Sequence, residues 1–506
     1  MAGQEIRHQR VASRTDHLYG YDDKMLSFSH IDYGRLQNAS TVLHYGWWDN
    51  KSNGTALSEI QNRYVSFYGN AAYTYNDTYT ATASIRYDKS NLWGLDSSQN
   101  KPIWSVGGSW NLHREAWLKD IKWLDMLKLR ASYGIGGNVA KDSAPYMTAY
   151  YNPNYNVGGL QGTISQRPNP DLTWEKTTTI NVGFDLSAFR GRLNASFDFY
   201  NKKGTNLLAN TMGVPTEGFG YSTYSINNGE MLNRGIELSL SGELYRSKDW
   251  SWTANLLFSY NHNKVTQAKA DAPVYFLQLD YPEAYPRVGN PYQAIYAYRW
   301  AGLNEEGLPQ VYNAAGEATT VKPSNLDDIV YAGSTTPTRA GSWGTSLRYK
   351  QWELSMLFVF EAGHQMRNTF LPMLNNQYNS ATWSYEPYIC AGVNADIANR
   401  WMKPGDEAHT NIPRLLYGYD PLFSSDAYDI YRYADINVIS ASNVRFKNLS
   451  LSYRLPNAWL KKVSLKSARL QFNIENVAMF AQNKTAKYLM NGYQRPNFVG
   501  SIHLGF

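Results

Sequence analysis

Asn497-Phe-Val-Gly-Ser-Ile-His-Leu-Gly-Phe506 closes the chain, with Phe498, Gly500, Ile502, Leu504 and Phe506 on one face and Asn497, Ser501, His503 and Gly505 mostly on the other. Period-two alternation is the signature of a β-strand with one apolar face. Any half-buried strand carries that pattern. The fold is therefore decided by how many such stretches the chain holds, how long they are and how they are joined.

A first strand is expected near Gly3–Ala12, before a polar, aromatic stretch to about Ala56. Val65, Phe67, Gly69, Ala71, Tyr73 and Tyr75 then alternate with polar or small residues, Asn76-Asp77 signals a tight turn, and Tyr79, Ala81, Ala83, Ile85 and Tyr87 return. The same rule gives strands through Leu127–Tyr133, Ile180–Leu186, Leu193–Phe199, Ile236–Leu244, Trp343–Tyr349, Leu354–Phe360, Leu449–Leu455 and Leu470–Ile474. These stretches run to roughly ten residues or more, the length a tilted strand needs to cross a bilayer. Typical soluble strands are about five or six residues long.

Connection lengths give a second signal. Short turns at Asn76-Asp77, Ala188–Gly191, Arg246–Asp249 and Lys350-Gln351 alternate with long connections near 15–60, 136–172, 206–229, 265–337 and 366–442. Short turns at one end and long loops at the other are the habit of outer-membrane barrels. If the C-terminus lies with the short turns, parity requires 265–337 to join strand ends on the same side, so Ile295–Trp300 and Leu308–Tyr312 should form a hairpin inside that loop. About fourteen spanning strands remain, an even number. The expected fold is all-β, a transmembrane antiparallel β-barrel part occupying residues 1–506.

Composition agrees. The 506 residues hold 40 Tyr, 18 Phe and 16 Trp. No apolar run is long enough for a membrane helix, which a barrel does not need because only alternate residues face lipid. The net charge of +6 is interspersed, with no basic run of the kind nucleic acid requires. One cysteine, Cys390, excludes an internal disulfide framework or a multi-thiolate metal site. The start, Met1-Ala-Gly-Gln-Glu-Ile-Arg-His, carries no apolar export segment, so an export signal is expected in an upstream part.

Several blocks resemble one family. They are Trp104–Trp110, Trp123-Leu-Asp-Met-Leu-Lys-Leu-Arg-Ala-Ser-Tyr-Gly134, Asn169-Pro-Asp-Leu-Thr-Trp-Glu-Lys-Thr177, Asn227-Asn-Gly-Glu-Met-Leu-Asn-Arg-Gly-Ile-Glu237, Gly289-Asn-Pro291 with Trp300-Ala-Gly-Leu303, Ser442–Tyr453 and Leu470–Asn476. In this order they resemble the SusC/RagA-type TonB-dependent transporters of Bacteroidetes. The resemblance implies a 22-strand outer-membrane barrel, of which this chain would supply the C-terminal fourteen or so strands. Phe498, Ile502, Leu504 and Phe506 would then belong to the barrel-closing, assembly-signal strand. The plug domain, the TonB box and the first strands are not visible here. The family implies uptake of oligosaccharides or peptides, a SusD-like surface lipoprotein as lid, TonB as energy source, and an N-terminal plug and barrel half supplied separately if the gene is split. It implies no enzyme activity and no cofactor.

No catalytic or metal-binding motif stands out. His364, His409 and His503 are isolated and expected at the surface or in the lumen; Asp22-Asp23 and Asp327-Asp328 are expected as solvated turn residues, with a cation site the alternative. Trp93, Trp110, Trp252, Tyr260 and Trp343, near strand ends, are expected in the interfacial aromatic girdle. Trp47, Trp48, Trp383, Tyr385 and Tyr388 fall in the outer loops, where aromatic faces either stack on substrate or pack within the loops and against a lid. Three other readings stay open on the sequence: a passive porin or adhesin barrel, a soluble secreted β-rich glycan-binding protein, and a non-functional truncated remnant.

Overall fold

The computed structural model describes residues 1–15, 19–22, 24–25, 27–29, 56–91, 102–138, 146–154, 159–166, 168–169, 172–212, 216, 223–268, 275–372, 376–379, 384–387, 394–415, 425–460, 465–491 and 494–505. Fourteen strands form one antiparallel sheet in chain order. They are β1 (Ala2–Thr15), β2 (Ala56–Tyr75), β3 (Tyr79–Ser90), β4 (Ile103–Asn111), β5 (Leu124–Asn138), β6 (Glu175–Ala188) and β7 (Leu193–Met212). Then come β8 (Thr223–Arg246), β9 (Trp250–Gln267), β10 (Arg339–Tyr349), β11 (Trp352–Ala362), β12 (Asn443–Arg454), β13 (Ser467–Ala481) and β14 (Asn497–Gly505). Each strand pairs with its neighbour in sequence, so β1 and β14 each have one partner among the described residues.

Two adjacent rungs of the ladder show why these residues make this sheet. One runs Tyr79, Trp110, Leu129, Phe184, Phe197, Leu238, Phe258, Gly341, Phe360, Val444, Phe480. One residue along each strand, the next runs Ser109, Arg130, Gly183, Asp198, Glu237, Ser259, Ala340, Glu361, Asn443. A one-residue slip would exchange these sets, so the pattern pins the register. The apolar rung belongs to the outer face, where Phe498, Ile502 and Leu504 are also exposed. The polar rung belongs to the lumenal face, where Arg130 bridges Asp185 and Asp198 at 3.1 and 2.7 Å.

The tight turns fall where expected. Asn76 and Asp77 adopt φ of +50° and +55°, left-handed conformations that Asn and Asp tolerate, at the centre of a tight turn closed by the Thr78 N–H on Tyr75 O at 3.0 Å. In the Lys350-Gln351 turn Lys350 is left-handed, at +52°. The connection expected at 206–229 is shorter than anticipated, because β7 and β8 continue pairing through Leu208↔Asn227 to Met212↔Thr223 after a bulge.

The hairpin expected within 265–337 is present. Ala294–Leu303 pairs antiparallel with Pro309–Tyr312, and Ala318–Thr319 and Ile329–Ser334 extend the pair to four strands. This sheet does not stand alone. Helix α1 (Tyr275–Asp280) and helix α2 (Ser425–Tyr433) pack on it, so the two longest loops fold together at the long-connection end.

Candidate functional site

The largest buried apolar cluster of the described residues lies in this loop module, not in the barrel wall. Ala294, Tyr296, Tyr298, Val311 and Ile329 of the small sheet meet Leu279 of α1 and Ile430 and Tyr433 of α2. Tyr298 and Ile430 have no exposed surface. The hairpin's Ala294–Tyr298 run is buried at every position, which requires cover on both faces, and α2 from the other loop is part of it.

Polar contacts tie the two loops at long sequence range. Lys322 Nζ lies 2.6 Å from Asp429 Oδ2. Asp435 Oδ1 accepts the Trp300 backbone N–H at 3.1 Å, and the Trp300 ring meets Tyr431 edge to face at 5.8 Å. Tyr433 donates its hydroxyl proton to Asp280. Arg367 donates to Tyr296 O at 2.7 Å and sits 4.7 Å from the Tyr433 ring centre. Burial lowers the Arg367 guanidinium to about 10, still charged at neutral pH, and burial raises Tyr431 to about 12. Arg287 caps the other side, donating to Leu326 O at 2.7 Å and Ile329 O at 3.2 Å beneath the Tyr296 ring.

Two sequence blocks named above meet at the rim below the module. Asn227 accepts the Thr173 N–H at 2.9 Å and donates to Thr173 O and Asn206 O, both at 2.8 Å. Glu175 accepts the Leu208 N–H at 3.0 Å. Trp174 lies against Gly137 so closely that a Cβ there would stand 1.9 Å from the ring.

Several expectations are corrected. His364 is not a surface residue: it is 8% exposed, and its Nδ1 has no hydrogen-bond partner among the described residues. Burial holds its imidazole below the ordinary histidine value. It sits at the loop root, where its carbonyl accepts the Ala441 N–H at 3.1 Å. Asp328 is not a solvated turn residue. It is 5% exposed and accepts N–H groups from Ala314 and Asn325 at 2.6 and 3.1 Å, closing a short helical turn. No cluster able to hold a metal ion occurs among the described residues.

The aromatic positions divide. Trp110 Nε1 and Tyr79 Oη both donate to Glu115 Oε1, at 2.9 and 2.6 Å, at the short-turn end of the sheet, and hold that carboxyl below its usual range. Trp252 Nε1 donates to Thr345 Oγ1 at 2.8 Å at the same end. Tyr260 lies eight residues further along β9 on the same face, where His262 and Lys264 succeed it. Trp343 departs from the expectation. It is the fifth of the 11 residues of β10, opposite Leu256 and Phe358, and stands mid-strand rather than near an end. Tyr385 lies in the short strand Ser384–Pro387, paired with Tyr378. Trp47, Trp48, Trp93, Trp383, Tyr388 and Phe506 lie outside the described residues.

A family model described as TonB dependent receptor-like, beta-barrel matches residues 4–477. TonB-dependent receptor P3 of Formosa agariphila is 28% identical over 468 residues, covering 86% of this chain and 43% of the relative. TonB-dependent receptor SusC of Bacteroides thetaiotaomicron is 32% identical over 217 residues, covering 41% of this chain and 21% of the relative. The chain thus spans less than half the length of the curated relatives it matches. Among solved structures, the RagAB peptide importer in its closed-closed state aligns with a TM-score of 0.76 at 24% identity, over 100% of this chain and 53% of the other. The RagAB peptide transporter aligns with a TM-score of 0.72 at 25% identity, over 92% and 50%. The chain belongs to the TonB-dependent receptor-like β-barrel family.

Proposed function

We propose that the chain is the C-terminal barrel part of a TonB-dependent outer-membrane importer for oligosaccharides or peptides. The observation that carries this reading is the fourteen-strand sheet with an apolar outer face and, among the described residues, one partner each for β1 and β14. Unpaired edge groups have no water to turn to in hydrocarbon, so the edges call for further strands. A 22-strand barrel would supply roughly eight more. On this reading the upstream part brings the export signal, the plug and the TonB box. A SusD-like lipoprotein closes over the loop module, and the aromatic residues of the outer loops contact substrate or that lid. Trp110, Trp252 and Tyr260 sit at the lipid–water interfaces. The chain makes and breaks no covalent bond of the substrate.

Outer-membrane fractionation with and without the upstream gene neighbour, scored by heat-modifiable gel migration, tests this. A folded membrane band that depends on the neighbour supports the proposal. A soluble folded monomer overturns the barrel assignment, and the absence of a folded band in either case marks a remnant. Uptake of labelled oligosaccharide and peptide pools by cells holding both parts then separates the substrate classes.

A further inference from the structure

At the short-turn end, the segment before β5, the β6–β7 turn and the end of β8 border an open cavity of about 800 Å³. Its charge is lopsided. Lys122, Arg190, Arg192 and Arg246 line it against the single carboxylate of Glu243. Arg192 and Arg246 share that carboxylate at 3.7 and 3.5 Å, leaving Lys122 and Arg190 without an ion-pair partner among the described residues. Its floor is apolar: Trp123 and Phe189 stack with ring centres 5.9 Å apart, and both are about half exposed, at 51% and 53%.

The backbone is arranged to present these groups. Phe189 and Arg190 hold φ of +58° and +60°, a conformation uncommon for such bulky residues, and Gly191 continues the turn at +76°. Two contacts fix it: Phe189 N–H donates to Trp123 O at 2.7 Å, and Gly191 N–H donates to Asp125 Oδ2 at 2.9 Å. A β-bulge flanks the cavity on each side, between Ser187 and Ala188 and between Glu243 and Tyr245. The second reverses the alternation, so that Arg246 joins Glu243 on the lumenal face instead of pointing outward. Arg192 continues the Glu243 ladder on that same face. The site therefore looks into the barrel mouth and away from lipid.

We propose that this cavity docks an acidic polypeptide segment carrying an apolar side chain, entering from the periplasmic mouth. Guanidinium groups pair with carboxylates in two-point geometry, and the exposed ring stack takes the apolar residue. The placement at the periplasm rests on the reading of the short-turn end given above.

The probe is a short fluorescein-labelled peptide of Asp, Glu and one Phe, measured by anisotropy against the detergent-solubilised transporter assembled from both parts. Its Asn/Gln counterpart is the control. The acidic peptide should bind, lose affinity with added salt, and weaken about tenfold or more in the Arg190→Glu and Arg246→Glu double variant. Phe189→Ala should weaken it without altering the salt dependence. Equal binding of acidic and neutral peptides, or an unchanged double variant, overturns the proposal. Binding of short-chain phosphatidylglycerol without the peptide overturns it in favour of a lipid site. Orientation is read separately: an Arg190→Cys label in a Cys390→Ser background should react with an impermeant maleimide only after the outer membrane is permeabilised. Reaction in intact cells would sink the periplasmic assignment even if the peptide binds.

Discussion

Replacing Leu240 and its neighbour Ser239 by arginine, one at a time, tests the assignment of faces near the middle of the sheet. Leu240 lies opposite Leu256 on β9 and Ala195 on β7, all on the apolar face; Ser239 lies opposite Ser196 and Leu257 on the lumenal one. Leu256 is midway between Trp252 and Tyr260 on β9. Those two are eight residues apart, about 26 Å along a strand at ~3.3 Å per residue, or about 20 Å in height at a tilt of ~40°. Leu240 is therefore about 10 Å from either end of the apolar band, close to mid-bilayer. Arginine on the lipid face there costs about 2–4 kcal/mol. That lowers the folded-to-unfolded ratio by about 30-fold to about 1000-fold. Arginine at Ser239 faces the lumen and should cost far less. Urea titration of the assembled transporter in lipid vesicles measures both. Equal costs at the two positions would refute the face assignment, and a larger cost at Ser239 would reverse it.

Four further outcomes follow from particular contacts. Ile430→Ala removes a side chain with no exposed surface from the loop module and should destabilise it by about 2–5 kcal/mol, seen as faster proteolysis near Asn304–Gly307 with heat-modifiability of the barrel retained. Asn227→Ala breaks the contacts to Thr173 and Asn206 and leaves those backbone groups unpaired; a loss of about 1–3 kcal/mol at the rim should appear as faster amide exchange of Thr173. His364 is held below its ordinary value by burial, so the unfolded loop root binds a proton more readily than the folded one. The root's stability is then full above about pH 6.5 and declines as pH falls from there towards the lowered folded value. Loop proteolysis on intact cells should rise in acid for the native chain and stay flat for His364→Gln. Asp328→Ala strands the Ala314 and Asn325 N–H groups and should cost the small sheet about 1–3 kcal/mol, read by the same proteolysis assay.

The spanning strands were legible in the sequence because their code is local. Alternation with period two, roughly ten residues of it, and Asn76-Asp77 or Lys350-Gln351 between runs define a strand pair without reference to anything distant. The hairpin inside 265–337 was legible by parity, since a barrel admits only an even number of crossings between ends on the same side. What the tertiary structure alone decided lies where partners are far apart in the chain or where a ladder is interrupted. Tyr296 and Tyr298 are buried because Ile430 and Tyr433, more than a hundred residues later, belong to the same core, and no local pattern announces that pairing. Lys322 finds Asp429 across 107 residues and Trp300 finds Asp435 across 135. His364 read as a surface or lumen group and Asp328 as a solvated turn residue because charge and polarity suggest water, yet the convergence of loop roots and a capped turn enclose them. Trp343 read as an interface residue because the alternation placed it near a strand end, but the register sets it beside Leu256 at mid-strand. Arg246 would follow strict alternation to the outer face, and a single inserted residue turns it into the lumenal cavity. Periodicity fixes which face a side chain takes only while the ladder is regular; bulges and long-range packing act through contacts that a window of neighbouring residues does not contain.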